Sequence, residues 1–354
     1  MNVDKEGQVG RMAYLICSSE RTTASGNDME TRALLHLMCY DEHRDDIDGF
    51  AIDFFNDVTG MDHMGYRLYD VQSKKANSSP SAIGEELVTL YKNYVSEFSD
   101  YFVEQILFLG SITNTVLTDD TLKEFGYDDM TDRAKKSVRD RLIIACKKKT
   151  YIDDADIDGE RIDAFLNRVR FVLADTDEAH YIKPLIRSSS SLLTSDRQLR
   201  AIFNEIKNAQ SNIKNNVAVE GVSVETPGEA YDYGRVLETK KISLLALQRL
   251  INCNPYEVSI PTSFSAIYNA WPPERDRELL NECQNGVALQ LMDKNAAQPF
   301  WELFSQIVTS LENGAQDVDE VFSSINREVL GQCRHLNPLS TKYFIAMVKD
   351  GLEL

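Results

Sequence analysis

The chain has 354 residues, 43% of them hydrophobic, which is enough for two domains with a packed core in each and too apolar for disorder to be the default. Its 38 basic residues stand against 56 acidic ones, a formal net charge of -18. That balance excludes a protein that coats nucleic acid through bulk electrostatics, so any DNA contact must use a local basic patch.

No stretch approaches ~18 uninterrupted apolar residues, and the polar start MNVDKEGQ lacks the form of a signal peptide. A soluble, cytoplasmic protein without membrane contact is expected. Cys17, Cys39, Cys146, Cys253, Cys283 and Cys333 form no C-x-x-C pair, and the histidines show no zinc-type spacing near them. Free thiols in a reducing cytosol fit this pattern.

In chain order, the apolar run Met12 to Cys17 predicts a leading strand followed by a loop. From Asn27 the spacing of Met29, Ala33, Leu34, Leu37 and Met38 predicts a helix capped by Asn27 or Asp28, with Glu30 in its first turn. There Glu30 is either a favourable charge at the positive end of the helix dipole or a metal ligand. Gly49 to Lys75 reads as two strands joined by a turn. Period two puts Asp53, Phe55 and Asp57 on one face of the first strand, and Asp70, Gln72 and Lys74 on one face of the second. After the loop ANSSPS, the stripe from Ile83 through Leu107 predicts a long amphipathic helix from about Ala82 to Leu109, with a change to strand after Gly110 as the alternative.

Residues 131 to 149 are the dense basic segment, with Lys135, Lys136, Arg139, Lys147, Lys148 and Lys149 among its charges. It is either a solvated helix face with a basic end that suits the dipole or a surface that tracks phosphates. In DDADIDGERIDAF the acids precede Gly159 as in a calcium loop, but position twelve falls on Phe165 where a bidentate Glu is required, so that reading is rejected. A helix from Ile157 to Val169 and the strand RFVLAD follow. Beyond Thr176, apart from an alternating strand in VAVEGVSVE, the chain reads as successive helices. The expected division is a mixed α/β domain over 1–180 and a mostly helical assembly and partner-docking domain over 190–354.

The chemistry centres on Asp57, Gln72 and Lys74. Phosphodiester cleavage needs a nucleophile to approach an anion and an alkoxide to leave, and a carboxylate-bound Mg²⁺ answers both difficulties. Asp57 is the best ligand, Gln72 a neutral ligand or orienter, and Lys74 the ammonium that holds or activates the attacking water. Gln stands where a second acid is usual, so Glu30 or Asp53 would restore the missing charge. The competing account makes Asp53, Asp57 and Lys74 solvent-facing residues of an edge hairpin.

The order of Glu30 on a helix, AIDFFNDVTG, then LYDVQSKK resembles the PD-(D/E)xK restriction-endonuclease-like superfamily in its Gln-x-Lys variant. More narrowly, it resembles the nuclease domain of anti-phage effectors of CBASS and Lamassu systems. Asp57-Val58 and Gln72-Ser73-Lys74 match the family's metal-site motifs, over residues 25 to 175. The resemblance implies a mixed sheet flanked by helices, a site of Glu30, Asp57, Gln72 and Lys74 holding Mg²⁺ or Mn²⁺, and double-stranded DNA as substrate. Ser73 departs from the family's apolar middle residue, which predicts a less buried face. The helical second half favours the Lamassu type over the nucleotide-activated CBASS type. It implies an SMC-like ATPase and a small accessory subunit as partners, and a homo-oligomer as the active form. A catalytically silent nuclease-like scaffold within a defence complex is the reading from another class.

Overall fold

The computed structural model describes residues 13–16, 24–186, 196–216, 218–252 and 260–352. They form two compact units: Met1–Thr176 with Lys207–Glu238, and Asp177–Ile206 with Thr239–Leu354. The second unit is helical. Where a single block over 190–354 is expected from the sequence, Lys207–Glu238 instead returns to the first unit.

The first unit begins with β1 (Tyr14–Leu15), followed by helix α1 (Ala24–Cys39). Leu34, Leu35 and Leu37 of α1 are fully buried, which explains why an apolar helix of this composition needs a sheet to cover it. Three antiparallel strands follow: β2 (Gly49–Ile52), β3 (Val58–Met61) and β4 (Leu68–Ser78). The stretch expected to be a two-stranded hairpin is therefore a three-stranded meander. Asp53 to Asp57 is the bend between β2 and β3, not the end of a strand.

The helix expected over Ala82 to Leu109 is three elements: α2 (Pro80–Glu86), α3 (Val88–Val95) and β5 (Phe102–Ile112). Ile106 to Leu109 are all fully buried, because β5 lies parallel to β4 with helices over the sheet. A strand buried on both faces reads as a continuous apolar run, which prolongs the helical stripe before it. Ser79 caps α2 by accepting from the Ala82 N–H at 3.3 Å, with Pro80 in the first turn. Gly84 lets α2 approach the next long helix closely, since a Cβ there would lie 2.3 Å from the Val138 carbonyl oxygen.

The chain continues through β6 (Glu124–Phe125), α4 (Asp132–Cys146), α5 (Gly159–Leu166) and β7 (Arg170–Leu173). β7 runs parallel to β5, and β6 closes one edge antiparallel to β7. After α6 (Glu178–Ile186) and α7 (Asp196–Asn216), β8 (Ser223–Val224) pairs with β1, and α8 (Glu229–Asp232) leads to β9 (Val236–Glu238). β9 adds to the other edge, giving the order β6-β7-β5-β4-β3-β2-β9 in a mixed seven-stranded sheet. Of the strand expected in VAVEGVSVE, the described residues, 218 onward, form only β8.

Leu107, Leu109 and Phe171 of the sheet pack with α2 to α5 in one core. On the opposite side, the His36 ring of α1 lies 5.6 Å from the Phe108 ring. The sheet is thus flanked by α1 on one face and by α2 to α5 on the other. The second unit adds α9 (Thr239–Ile251), α10 (Ser265–Asn269), α11 (Asp276–Met292), α12 (Ala297–Glu312), α13 (Val318–Ser324), α14 (Arg327–Gln332) and α15 (Pro338–Leu352). Phe300, Phe304 and Phe344 are fully buried where α12 meets α15. Among the described residues, no helix is long and apolar enough to cross a membrane.

Candidate functional site

The bend between β2 and β3 is fixed from both sides. Its N–H at Asp53 donates to the Asp57 carbonyl at 3.1 Å, and Asp53 takes a positive φ of 50°, which aspartate tolerates better than most residues. Phe54 and Phe55 are buried in the core beneath. The Phe55 carbonyl accepts from Asn93 Nδ2 at 3.3 Å. The apolar anchors go inward, and Asp53 and Asp57 remain to project from the bend.

Asp57 lies just beyond Val58↔Val71, the last paired position of β3 and β4. Its Oδ2 accepts from the Ser73 N–H at 2.8 Å and from Ser73 Oγ at 2.9 Å. The carboxylate so continues the ladder where the β3 backbone has ended. Ser73 is only 8% exposed, against the expectation of an open face. Its hydroxyl is polar because it serves Asp57.

Glu30, on α1, is buried. Its Oε1 lies 3.3 Å from Lys214 Nζ and its Oε2 accepts from Gln210 Nε2 at 3.3 Å, both from α7. Lys214 Nζ also lies 3.7 Å from Asp53 Oδ1. Burial is the main force raising the Asp57 carboxyl to about 7, with the charge of Glu30 adding to it and the Ser73 bonds opposing it. Glu30 is likewise raised, first by burial, with Lys214 pulling the other way and Asp53 adding to the rise. Shielded carboxylates that raise one another lack positive charge.

Three carboxylates, answered by the Lys214 ammonium and by the Arg235 guanidinium near Asp53, suit a hard divalent cation in donor chemistry. Among the described residues, however, no three acidic, His or Cys side chains converge as arranged to hold one ion.

Gln72 and Lys74 do not point the way Asp57 does. They pair in register with Leu107 and Leu109, while Ser73 pairs with Phe108. Gln72 Oε1 accepts from Thr89 Oγ1 of α3 at 2.9 Å, and Lys74 Nζ lies 3.0 Å from Glu86 Oε1 of α2. Asp70 shares that side, accepting from Asn93 Nδ2 at 2.7 Å and from Thr59 Oγ1 at 2.9 Å. Burial raises its carboxyl to about 6 against these donors. The common face expected for Asp57, Gln72 and Lys74 is corrected because Asp57 sits in a bend, where strand alternation does not hold.

Most of the basic segment forms α4, capped by Thr131, and Lys147, Lys148 and Lys149 follow its last residue. Lys135 pairs with Asp128 at 3.3 Å, and Arg139 with Asp163 at 2.6 Å. Lys136, Lys147, Lys148 and Lys149 are exposed. They belong to the helix layer opposite α1.

Three contributors were not anticipated. Ser73 stood in the motif as its unusual middle residue, and that polarity was the available signal. Lys214 and Gln210 are far along the chain, and helical periodicity in α7 gives no indication that they reach Glu30. Compared with known proteins, the chain matches no family model, and neither a curated protein nor a solved structure shows significant similarity to it.

Proposed function

We propose that the first unit is a divalent-metal-dependent endonuclease of the restriction-endonuclease-like kind acting on double-stranded DNA. The observation that carries this reading is the shielded acidic cluster of Glu30, Asp53 and Asp57, with Glu30 and Asp57 both raised above ordinary carboxylates. The order of elements supports it: a helix bearing Glu30, three antiparallel strands, a helical crossover, and β5 parallel to β4.

Asp57 and Glu30 would be the principal oxygen donors to Mg²⁺ or Mn²⁺, with Asp53 beside them. The metal would supply Lewis acidity at the phosphate and a bound water of lowered pKa. Ser73 holds the Asp57 carboxylate in its orientation. The exposed lysines in and just beyond α4 lie on the sheet face opposite the cluster, and in an acidic chain they are local charge for phosphate contacts away from the cleaved bond.

Within this reading the whole chain is an anti-phage effector, resembling the Lamassu nuclease subunit. The helical unit would dock an SMC-like ATPase and an accessory subunit, and self-association would align two sites on the two DNA strands. Such control fits a cytoplasmic DNase whose uncontrolled action would destroy its host.

A catalytically silent scaffold is favoured by one observation: among the described residues the clustered acids are not arranged as a set of three to hold one ion, and Lys214 lies between two of them. Incubating supercoiled plasmid with the full chain over a range of protein concentrations, with Mg²⁺ or Mn²⁺ and with EDTA, separates the two. The nuclease reading expects nicking or linearisation that needs the metal and grows with assembly measured by light scattering. Intact plasmid under every metal condition, including the assembled state, would leave the scaffold.

A further inference from the structure

Lys214 is a buried cation in the acidic cluster. Its side chain is 9% exposed, and its ammonium lies between Glu30 Oε1 at 3.3 Å and Asp53 Oδ1 at 3.7 Å. Lysine is seldom this buried unless paired, and here its partners are two of the acids that the metal would need.

The helix carrying it is docked along α1 by one stripe. Lys207 Nζ meets Asp28 Oδ1 at 3.0 Å, Gln210 accepts from Thr31 Oγ1 at 2.8 Å while donating to Glu30, and Lys214 follows. Spacings of three and four place 207, 210 and 214 on one helical face. Beyond that stripe, Arg235 Nη1 donates to the Lys214 carbonyl at 2.9 Å and fixes the end of the helix. The contact is therefore built by several side chains, and it positions the Lys214 ammonium against Glu30 and Asp53, with the Arg235 guanidinium within electrostatic reach of Asp53.

We propose that Lys214 is a tethered cation that competes with divalent metal for Glu30 and Asp53, so that α7 holds the site in a low-affinity state until it withdraws. The proposal rests on the metal reading above and adds its regulation. Two features give it physical content. Metal entering beside a retained ammonium meets like-charge repulsion and finds Glu30 already engaged. α7 is also continuous across the division of the chain at Ile206 and Lys207. Withdrawal of this helix from α1 therefore withdraws the residue that closes the site.

The test is Mn²⁺ binding to the full chain by calorimetry, with the metal-induced shift in melting temperature as a second readout. Lys214→Met keeps most of the buried stem and removes the charge, and Lys214→Arg keeps the charge. Circular dichroism and the metal-free melting curve identify any variant that fails to fold. Lys214→Met is expected to bind Mn²⁺ about tenfold or more tighter than wild type, the change produced by an interaction of one pKa unit. Lys214→Arg should remain as weak as wild type, and adding Asp57→Asn to Lys214→Met should remove the gain.

Equal Mn²⁺ affinity in wild type and Lys214→Met, both lost with Asp57→Asn, would overturn the competition while leaving the metal site standing. If neither wild type nor Lys214→Met bound Mn²⁺, the metal reading itself would fall and the competition with it. If Lys214→Met did not fold, Lys214→Arg would decide. Affinity lost or raised tenfold in that charge-retaining variant would contradict a role based on charge alone.

Discussion

The two faces of β4 carry similar polar residues and treat them differently. On the face towards α2 and α3, each has a matched partner: Asp70 with Asn93 and Thr59, Gln72 with Thr89, Lys74 with Glu86. At the side of Ser73, Asp57 lies within reach of the charges of Glu30 and Lys214, and the three acids outnumber the two cations, Lys214 and Arg235. Matched groups stabilise a fold, whereas a surplus of shielded charge stores a demand for a ligand. The motif Gln72-Ser73-Lys74 spans both situations, and its middle residue faces the unbalanced one.

The largest expected effect breaks the unbalanced face. Asp57→Asn should reduce metal-dependent cleavage at least about 100-fold, since even groups behind a metal ligand are worth roughly 10- to 100-fold. Initial rates of plasmid nicking at saturating Mg²⁺ measure it. Next comes the side of the sheet carrying α4. Replacing Lys147, Lys148 and Lys149 with Glu should weaken DNA binding of every sequence alike. It should also make the slope of log affinity against log salt shallower by roughly 2 to 3, if each lysine neutralises one phosphate. A fluorescence anisotropy titration at several salt concentrations would show an unchanged slope if these lysines were only a solvated helix face.

Ser73→Ala sharpens the comparison at a single bond. It removes the hydroxyl donor to Asp57 and keeps the backbone one, so stability should fall by about 1 kcal/mol in a urea titration. Metal affinity should weaken roughly tenfold. On the balanced face the expected effect is a pH dependence of stability, with no change in metal affinity. Asp70 is raised to about 6, so the folded chain holds that proton more tightly than the unfolded one. Its contribution is full below the ordinary carboxylate range near pH 4 and is lost as pH rises through about 6, on the order of 3 kcal/mol. Melting curves of wild type and Asp70→Asn should therefore converge or cross between those values. Parallel curves would mean that Asp70 does not titrate in that window.

Much of the fold was legible because it is local. The stripe of Met29, Leu34 and Leu37 and the helical character of the second half each follow from short-range pattern. The Ala82 to Leu109 stretch was not legible as strand, because a strand buried on both faces has no alternation to display. At the site, grouping Glu30 with Asp57 was legible through the order of elements. The side chosen by Gln72 and Lys74 was not, since period two says only that they agree with each other. Which layer they meet is set by where α2 and α3 pack. Lys214 lies beyond any local rule, because its partner Glu30 is 184 positions earlier in the chain.

The measurement that bears most directly on this account is cleavage by Asp57→Asn and Lys74→Ala, assayed beside wild type in Mg²⁺ at matched assembly. Lys74 is held in a partly exposed ion pair of modest worth. The account therefore expects Lys74→Ala to keep activity within about tenfold of wild type, while Asp57→Asn loses at least about 100-fold. Loss as deep in Lys74→Ala as in Asp57→Asn would contradict it, because the ammonium directed at Glu86 would then have to work at the carboxylates on the other side of β4.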